Sequence, residues 1–136
     1  CTAIVCDEMM CIPSWAEGCN DCMGFVLKSP GQKTIYVAGD TVWNEYIEAT
    51  LKKQRPEIII VNGALTRYEG FKGSSMMGPD DVKRIYQMCK NAIIIPVHMD
   101  SYAHCAYTTK TMKKFVDDNK LQDRVIVPVD GDKFEL

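Results

Sequence analysis

Apolar and polar positions change their rhythm once along this chain. Before residue 40 they read as short strands. Cys1-Thr-Ala-Ile-Val-Cys6 is a strand-like run, and the stretch over 7–21, with Pro13, Gly18 and Asn20, is irregular. Met23–Lys28 and Lys33–Ala38 predict two strands joined by Ser29-Pro-Gly-Gln32. Pro and Gly stand there at suitable turn positions, so the pair predicts a hairpin. Beyond residue 42 the spacing becomes helical and alternates with apolar runs. Trp43–Gln54 predicts a helix with Trp43, Tyr46, Ile47 and Leu51 on one face. Glu57–Asn62, Ala92–Val97 and Arg124–Val129 are rich in β-branched residues and predict strands buried on both sides. Pro79–Lys90 predicts a helix, since Pro suits the first helical position and Asp80 and Asp81 favour the positive end. Thr108–Asn119 predicts a third helix, capped by Thr108 or Thr109. Residues 63–78, with Gly63, Gly70, Gly73 and Gly78, read as a long loop, and Lys133–Leu136 as a last short strand.

A hairpin followed by strand–helix alternation defines an α/β class with a largely parallel sheet region. The 136 residues, 46% hydrophobic and 25% charged, suit a single domain or part of one. No apolar run approaches the ~20 residues that span a bilayer, and no signal peptide is visible. The chain opens at Cys1 without an initiator Met, which reads as a truncated start. A net charge of −2 gives no reason to expect nucleic acid or an anionic membrane as a partner. Seven cysteines, an odd number in a helix- and strand-rich chain, point to reduced thiols and a cytoplasmic location. Cys19-x-x-Cys22, with Cys6 and Cys11 nearby, has the spacing of only half a four-thiolate zinc site, so unligated thiols are expected.

In sheets of this kind, chemistry gathers beyond the carboxyl ends of the strands. Those ends read Gly39-Asp40-Thr41, Asn62-Gly63-Ala64, His98-Met99-Asp100 and Asp130-Gly131-Asp132. A carboxylate and an imidazole therefore finish two separate strands on one edge. Both are good ligands for zinc, manganese or iron. Taken singly, each has a plainer reading. Asp40 before a helix suits an N-cap, His98 suits a hydrogen-bonded histidine at the sheet edge, and His104 beside Tyr102 and Cys105 says little.

Gly24-Phe-Val-Leu27, Thr34-Ile-Tyr-Val-Ala-Gly-Asp-Thr-Val-Trp43 and Val97-His-Met-Asp100 through His104-Cys105 occur in order, and Val125-Ile-Val-Pro-Val-Asp-Gly131 follows. In this order and context they resemble a group of metal-dependent hydrolases of the metallo-β-lactamase superfamily, from about Met23 to Leu136. The resemblance implies the C-terminal half of an αββα fold, a mixed sheet flanked by helices. It implies that Asp40 bridges metal ions and orients a hydroxide, and that His98 is the last histidine ligand. It places His104 near the substrate or leaving group, and the loop from Asn62 to Met77 along the cleft, with Asn62 toward the substrate. The implied reaction is attack by a metal-activated water on an ester, lactone, thioester or phosphodiester, with zinc the first choice of metal and manganese or iron next.

The departures are specific. The superfamily's His-x-His-x-Asp-His motif belongs to an N-terminal half absent from this sequence. A ligand histidine expected after the first strand is replaced by Asp7-Glu-Met-Met10, and the chain has two histidines in all. These departures predict a chain that is weak or inactive alone, and the inner sheet face of such a half-fold, with Phe25, Leu27, Ile35 and Val37, predicts dimerisation, aggregation or a need for the N-terminal half. They leave two alternatives open: a degenerate hydrolase homologue, or a non-catalytic α/β ligand-binding or receiver-like module. The receiver-like reading lacks a Lys at the end of the last buried strand and any Gly-rich phosphate loop.

Overall fold

The computed structural model describes residues 2–9, 22–69 and 73–136, with the backbone alone over 2–9 and 22–23. Cys11 and Cys19 lie outside the described residues, and with them the thiolate-zinc spacing. Five strands form one sheet in chain order: β1 (Thr2–Met9), β2 (Cys22–Lys28), β3 (Ile35–Val37), β4 (Ile58–Asn62) and β5 (Ile93–Val97). The first two pairings are antiparallel and the last two parallel, giving a mixed sheet. This sequential order differs from the 2-1-3-4-5 order of flavodoxin-like receivers. The β2–β3 hairpin closes as the Pro–Gly pair requires: Gln32 N donates to Ser29 O at 3.1 Å, and Gly31 adopts φ +72°.

Among the described residues three helices accompany the sheet: α1 (Glu45–Gln54) between β3 and β4, α2 (Pro79–Met88) between β4 and β5, and α3 (Thr109–Asp118) after β5. Each starts on an identifiable signal. Asn44 Oδ1 accepts from Ile47 N at 2.9 Å to cap α1, and Thr108 Oγ1 accepts from Thr111 N at 3.1 Å to cap α3. At α2, Pro79 takes the first helical position and Asp81 Oδ2 accepts from Gly78 N at 3.0 Å.

Side chains alternate across the sheet. Val26, Tyr36, Ala38, Ile59, Val61 and Ile94 form one face, each 1% exposed or less. Ile47 and Leu51 of α1, Val82 and Ile85 of α2, and Met112 and Val116 of α3 join them in one cluster. Tyr46, expected on the buried face of α1, is 42% exposed instead. The register puts Phe25 beside Val37 and Ile60, and Leu27 beside Ile35 and Ile58, on the opposite face. There Phe25 is 41% exposed, and Leu27, Ile35, Val37 and Ile60 are partly exposed.

The C-terminal segment departs from expectation. Arg124–Val129 does not extend into a full strand. It makes one parallel bridge, Val125 beside Ile94, with Ile94 N bonded to Arg124 O at 2.8 Å and Ile126 N to Ile94 O at 2.9 Å. The Arg124 guanidinium instead bonds the carbonyls of Tyr86, Cys89 and Ala92, tying the end of α2 to the start of β5. Lys133–Leu136 is exposed and forms no strand.

Candidate functional site

The carboxyl edge of the sheet is assembled from chain reversals. Beyond β3, Ala38 N still bonds Ile60 O at 2.9 Å. Gly39 then turns with φ +72°, a left-handed conformation that suits glycine, and delivers Asp40 past the strand end. Helix α1 takes its cap from Asn44, so Asp40 is not spent as an N-cap. Its carboxylate faces the neighbouring strand, where Asn62 Nδ2 donates to Asp40 Oδ1 at 2.5 Å.

One strand further on, Val97 pairs with Asn62, and Gly63 N bonds Val97 O at 3.0 Å. His98 follows with φ +63°, and Asp100 with φ +65°. Side-chain-bearing residues in this region each cost about 1–3 kcal/mol, so surrounding bonds must hold them there. Several do. Asp100 Oδ2 accepts from Thr109 N at 2.9 Å. The Thr109 side chain and backbone hold the Asp100 carboxyl below the usual carboxylate range. Cys105 Sγ contacts His98 O at 3.9 Å.

The two site loops are laced together by the backbone. Arg67 N donates to His104 O at 2.8 Å, Ala106 N to Leu65 O at 3.2 Å and Tyr107 N to Ala64 O at 2.9 Å. Thr66 and Cys105 form an antiparallel bridge. Under this ladder, Thr66 Oγ1 lies 2.9 Å from Ser75 Oγ, which lies 3.0 Å from Tyr68 Oη. A row of rings results. Tyr68 stacks on His104 with centroids 5.1 Å apart, Tyr102 stacks on His104 at 5.3 Å, and His98 sits tilted against Tyr102 at 5.9 Å.

The structure thus brings Asp40 to Asn62, and His98 to His104 through Tyr102, on one edge of the sheet. Asp40 and His98 leave β3 and β5, which flank β4, so two strand spacings of about 4.8 Å separate their origins. Asp130 and Asp132 stand apart: both are exposed, and Asp132 Oδ2 accepts from Val129 N within its own turn. Among the described residues, no three His, Cys, Asp or Glu side chains form a group able to hold a metal ion. A stable zinc site takes three protein ligands or more. The described donors therefore do not by themselves fit a resident divalent ion. Also among the described residues, no helix is long and apolar enough to cross a membrane.

Known proteins share this architecture. UPF0173 protein YddR of Bacillus subtilis is 36% identical over 115 residues, covering 85% of this chain and 45% of the relative. A protein of Veillonella parvula described as a possible metal-dependent hydrolase superimposes with TM-score 0.87 at 35% identity, over 94% of this chain and 49% of that one. An isothiocyanate hydrolase from Delia radicum gut bacteria gives TM-score 0.88 at 27% identity, over 98% and 53%. Igni18, a metallo hydrolase of Ignicoccus hospitalis, gives 0.67 at 16% identity and so bears on the fold alone. No protein-family model matches the chain. These likenesses support the resemblance to metallo-β-lactamase-fold hydrolases, and the chain spans about half the length of these relatives.

Sequence reasoning set the loop that holds Thr66, Tyr68 and Ser75 along the cleft but singled out none of the three, and it gave Tyr102 no role. Nothing in their spacing marks them, because loop–loop pairing brings them together. The one available signal was the density of Tyr and Ser in segments that follow strand ends.

Proposed function

We propose that this chain supplies the C-terminal half of a metal-dependent hydrolase, with Asp40 and His98 as two members of a divalent-metal ligand set. The remaining ligands come from an N-terminal half that this sequence lacks. The observation that carries the reading is the placement at one sheet edge of Asp40, held by Asn62, and His98, linked by rings to His104. The likeness to hydrolases over almost the whole chain supports it. In this reading His104 bonds the substrate or leaving group, while Asn62 orients Asp40 and lines the cleft. Substrates are small molecules with an electrophilic centre: esters, lactones, thioesters or phosphodiesters, and isothiocyanates by analogy with the Delia radicum gut relative. Zinc is the first candidate metal, and the location is cytoplasmic.

The half-open sheet face fits the same reading. Phe25, Leu27, Ile35, Val37 and Ile60 form an apolar surface where a second sheet from the N-terminal half would pack. The test is a chimera joining the N-terminal half of the Veillonella parvula relative to this chain. Metal-dependent turnover that disappears in both Asp40→Ala and His98→Ala is the expected result. A soluble, metal-loaded chimera inert on every substrate class named would overturn the proposal.

A further inference from the structure

We infer that Tyr68 and Tyr102 are positioning residues that clamp the His104 imidazole between them and offer only its edge to the cleft. The role in turnover rests on the hydrolase reading above; the clamp itself does not. Both tyrosines stack on His104, Tyr68 at 5.1 Å with planes 29° apart and Tyr102 at 5.3 Å with planes 6° apart. In this clamp the two tyrosines take opposite faces of the imidazole, since so small a ring leaves little room for two stacked phenols on one side. What remains accessible is the ring edge, which carries both nitrogens, the only atoms of the ring that donate or accept a strong hydrogen bond.

Each jaw of the clamp is fixed differently. Tyr68 belongs to the laced loop: its neighbour Arg67 holds His104 O through the backbone, and its own hydroxyl meets the buried Ser75. Tyr102 is 60% exposed, yet its ring touches both His98 and His104. It is therefore a spacer between the proposed ligand and the proposed substrate-contacting group. With both faces covered, the His104 plane cannot tilt without displacing a tyrosine. An imidazole held in one plane meets a bound substrate in a preset orientation and loses little rotational freedom in doing so. This selects substrates whose hydrogen-bonding atom lies at a set distance from the His98 side of the cleft.

The chain has only two histidines, so selective ring labelling gives two sets of signals, assigned by His104→Gln. In dilute solution the His104 ring protons should lie upfield of free histidine, because they sit over tyrosine faces. Tyr68→Leu and Tyr102→Leu should each move them back toward the free position, while Tyr68→Phe and Tyr102→Phe should leave them shifted. His104 signals at the free position, or unmoved by either Leu variant, would overturn the clamp whatever the chain hydrolyses. In the chimera described above, each Leu variant should lower kcat about tenfold or more with a smaller change in KM, and each Phe variant should restore it. Unchanged kcat in both Leu variants of an active chimera would overturn the positioning role. An inert chimera with the ring shifts intact would sustain the clamp and count against the hydrolase reading instead.

Discussion

The two faces of the sheet are built from similar residues and meet different fates. One face carries Val26, Tyr36, Ile59, Val61 and Ile94 and is sealed by three helices of the same chain. The other carries Phe25, Leu27, Ile35, Val37 and Ile60, equally apolar, and stays partly open. Helices seal a face when the chain that crosses between parallel strands has an apolar stripe to lay on it. Each crossover here runs over the same side, so the far side receives no cover from α1, α2 or α3. Under the proposed function this open face is where further protein would pack, and the chain spans about half the length of its relatives.

The sharpest test of this contrast is paired truncation. Ile94→Ala, on the sealed face, should cost about 2–5 kcal/mol, the usual range for emptying a packed core site. Phe25→Thr, on the open face, should cost far less in the isolated chain and should raise its solubility. Denaturant melts of the two variants make the comparison, and equal losses would mean that the open face is already covered. Self-association follows the same logic: sedimentation should show the isolated chain dimerising or aggregating, and Phe25→Thr reducing it. A stable monomer at high concentration that binds no hydrophobic dye would contradict it.

A smaller effect separates the sealed face from its seams. Arg124→Met removes the donor shared by the Tyr86, Cys89 and Ala92 carbonyls, and with it the guanidinium stacked 3.8 Å over the Tyr86 ring. The expected loss is about 1–3 kcal/mol by thermal or chemical denaturation. Asn44→Ala, which uncaps α1, should cost about 1 kcal/mol, and Asn44→Asp should cost little.

The smallest effect is a pH dependence at the site loop. The Thr109 bonds lower the Asp100 carboxyl below its unfolded value. Its stabilising contribution is thus complete above the ordinary aspartate range and is lost as pH falls through the lowered folded value. Asp100→Asn keeps a residue that tolerates positive φ and should flatten the acid limb of the stability–pH curve. An unchanged acid limb would show that Asp100 carries none of it.

Much of this was legible in the residues. The hairpin, the three helices and the β4 and β5 strands follow from periodicity, proline and capping residues, within two or three positions at their ends. Strand-end reasoning picked out Asp40, Asn62 and His98, and the family resemblance added His104; the structure sets all four on one edge. Three things were not legible. Arg124–Val129 has strand composition, yet only Val125 pairs with β5, and the arginine at its start is engaged by carbonyls at the end of α2. Asp40 precedes a helix as a cap would, but Asn44 is closer to the helix start and takes the role. The ring row depends on two loops meeting, and single-chain periodicity carries no information about contacts between loops.

The central claim is that Asp40 and His98 are ligands in an incomplete set. The direct measurement is cobalt and zinc binding by the 136-residue chain, beside Asp40→Ala, His98→Ala and a Cys19→Ser/Cys22→Ser variant. The account predicts no tight binding that depends on Asp40 and His98 in the isolated chain, because two ligands leave the coordination sphere mostly to water. In the chimera, one tight ion per chain should appear and weaken in both ligand variants but not in the cysteine variant. One tightly held ion in the isolated chain, lost in both Asp40→Ala and His98→Ala, would contradict it and show that this chain alone completes the site.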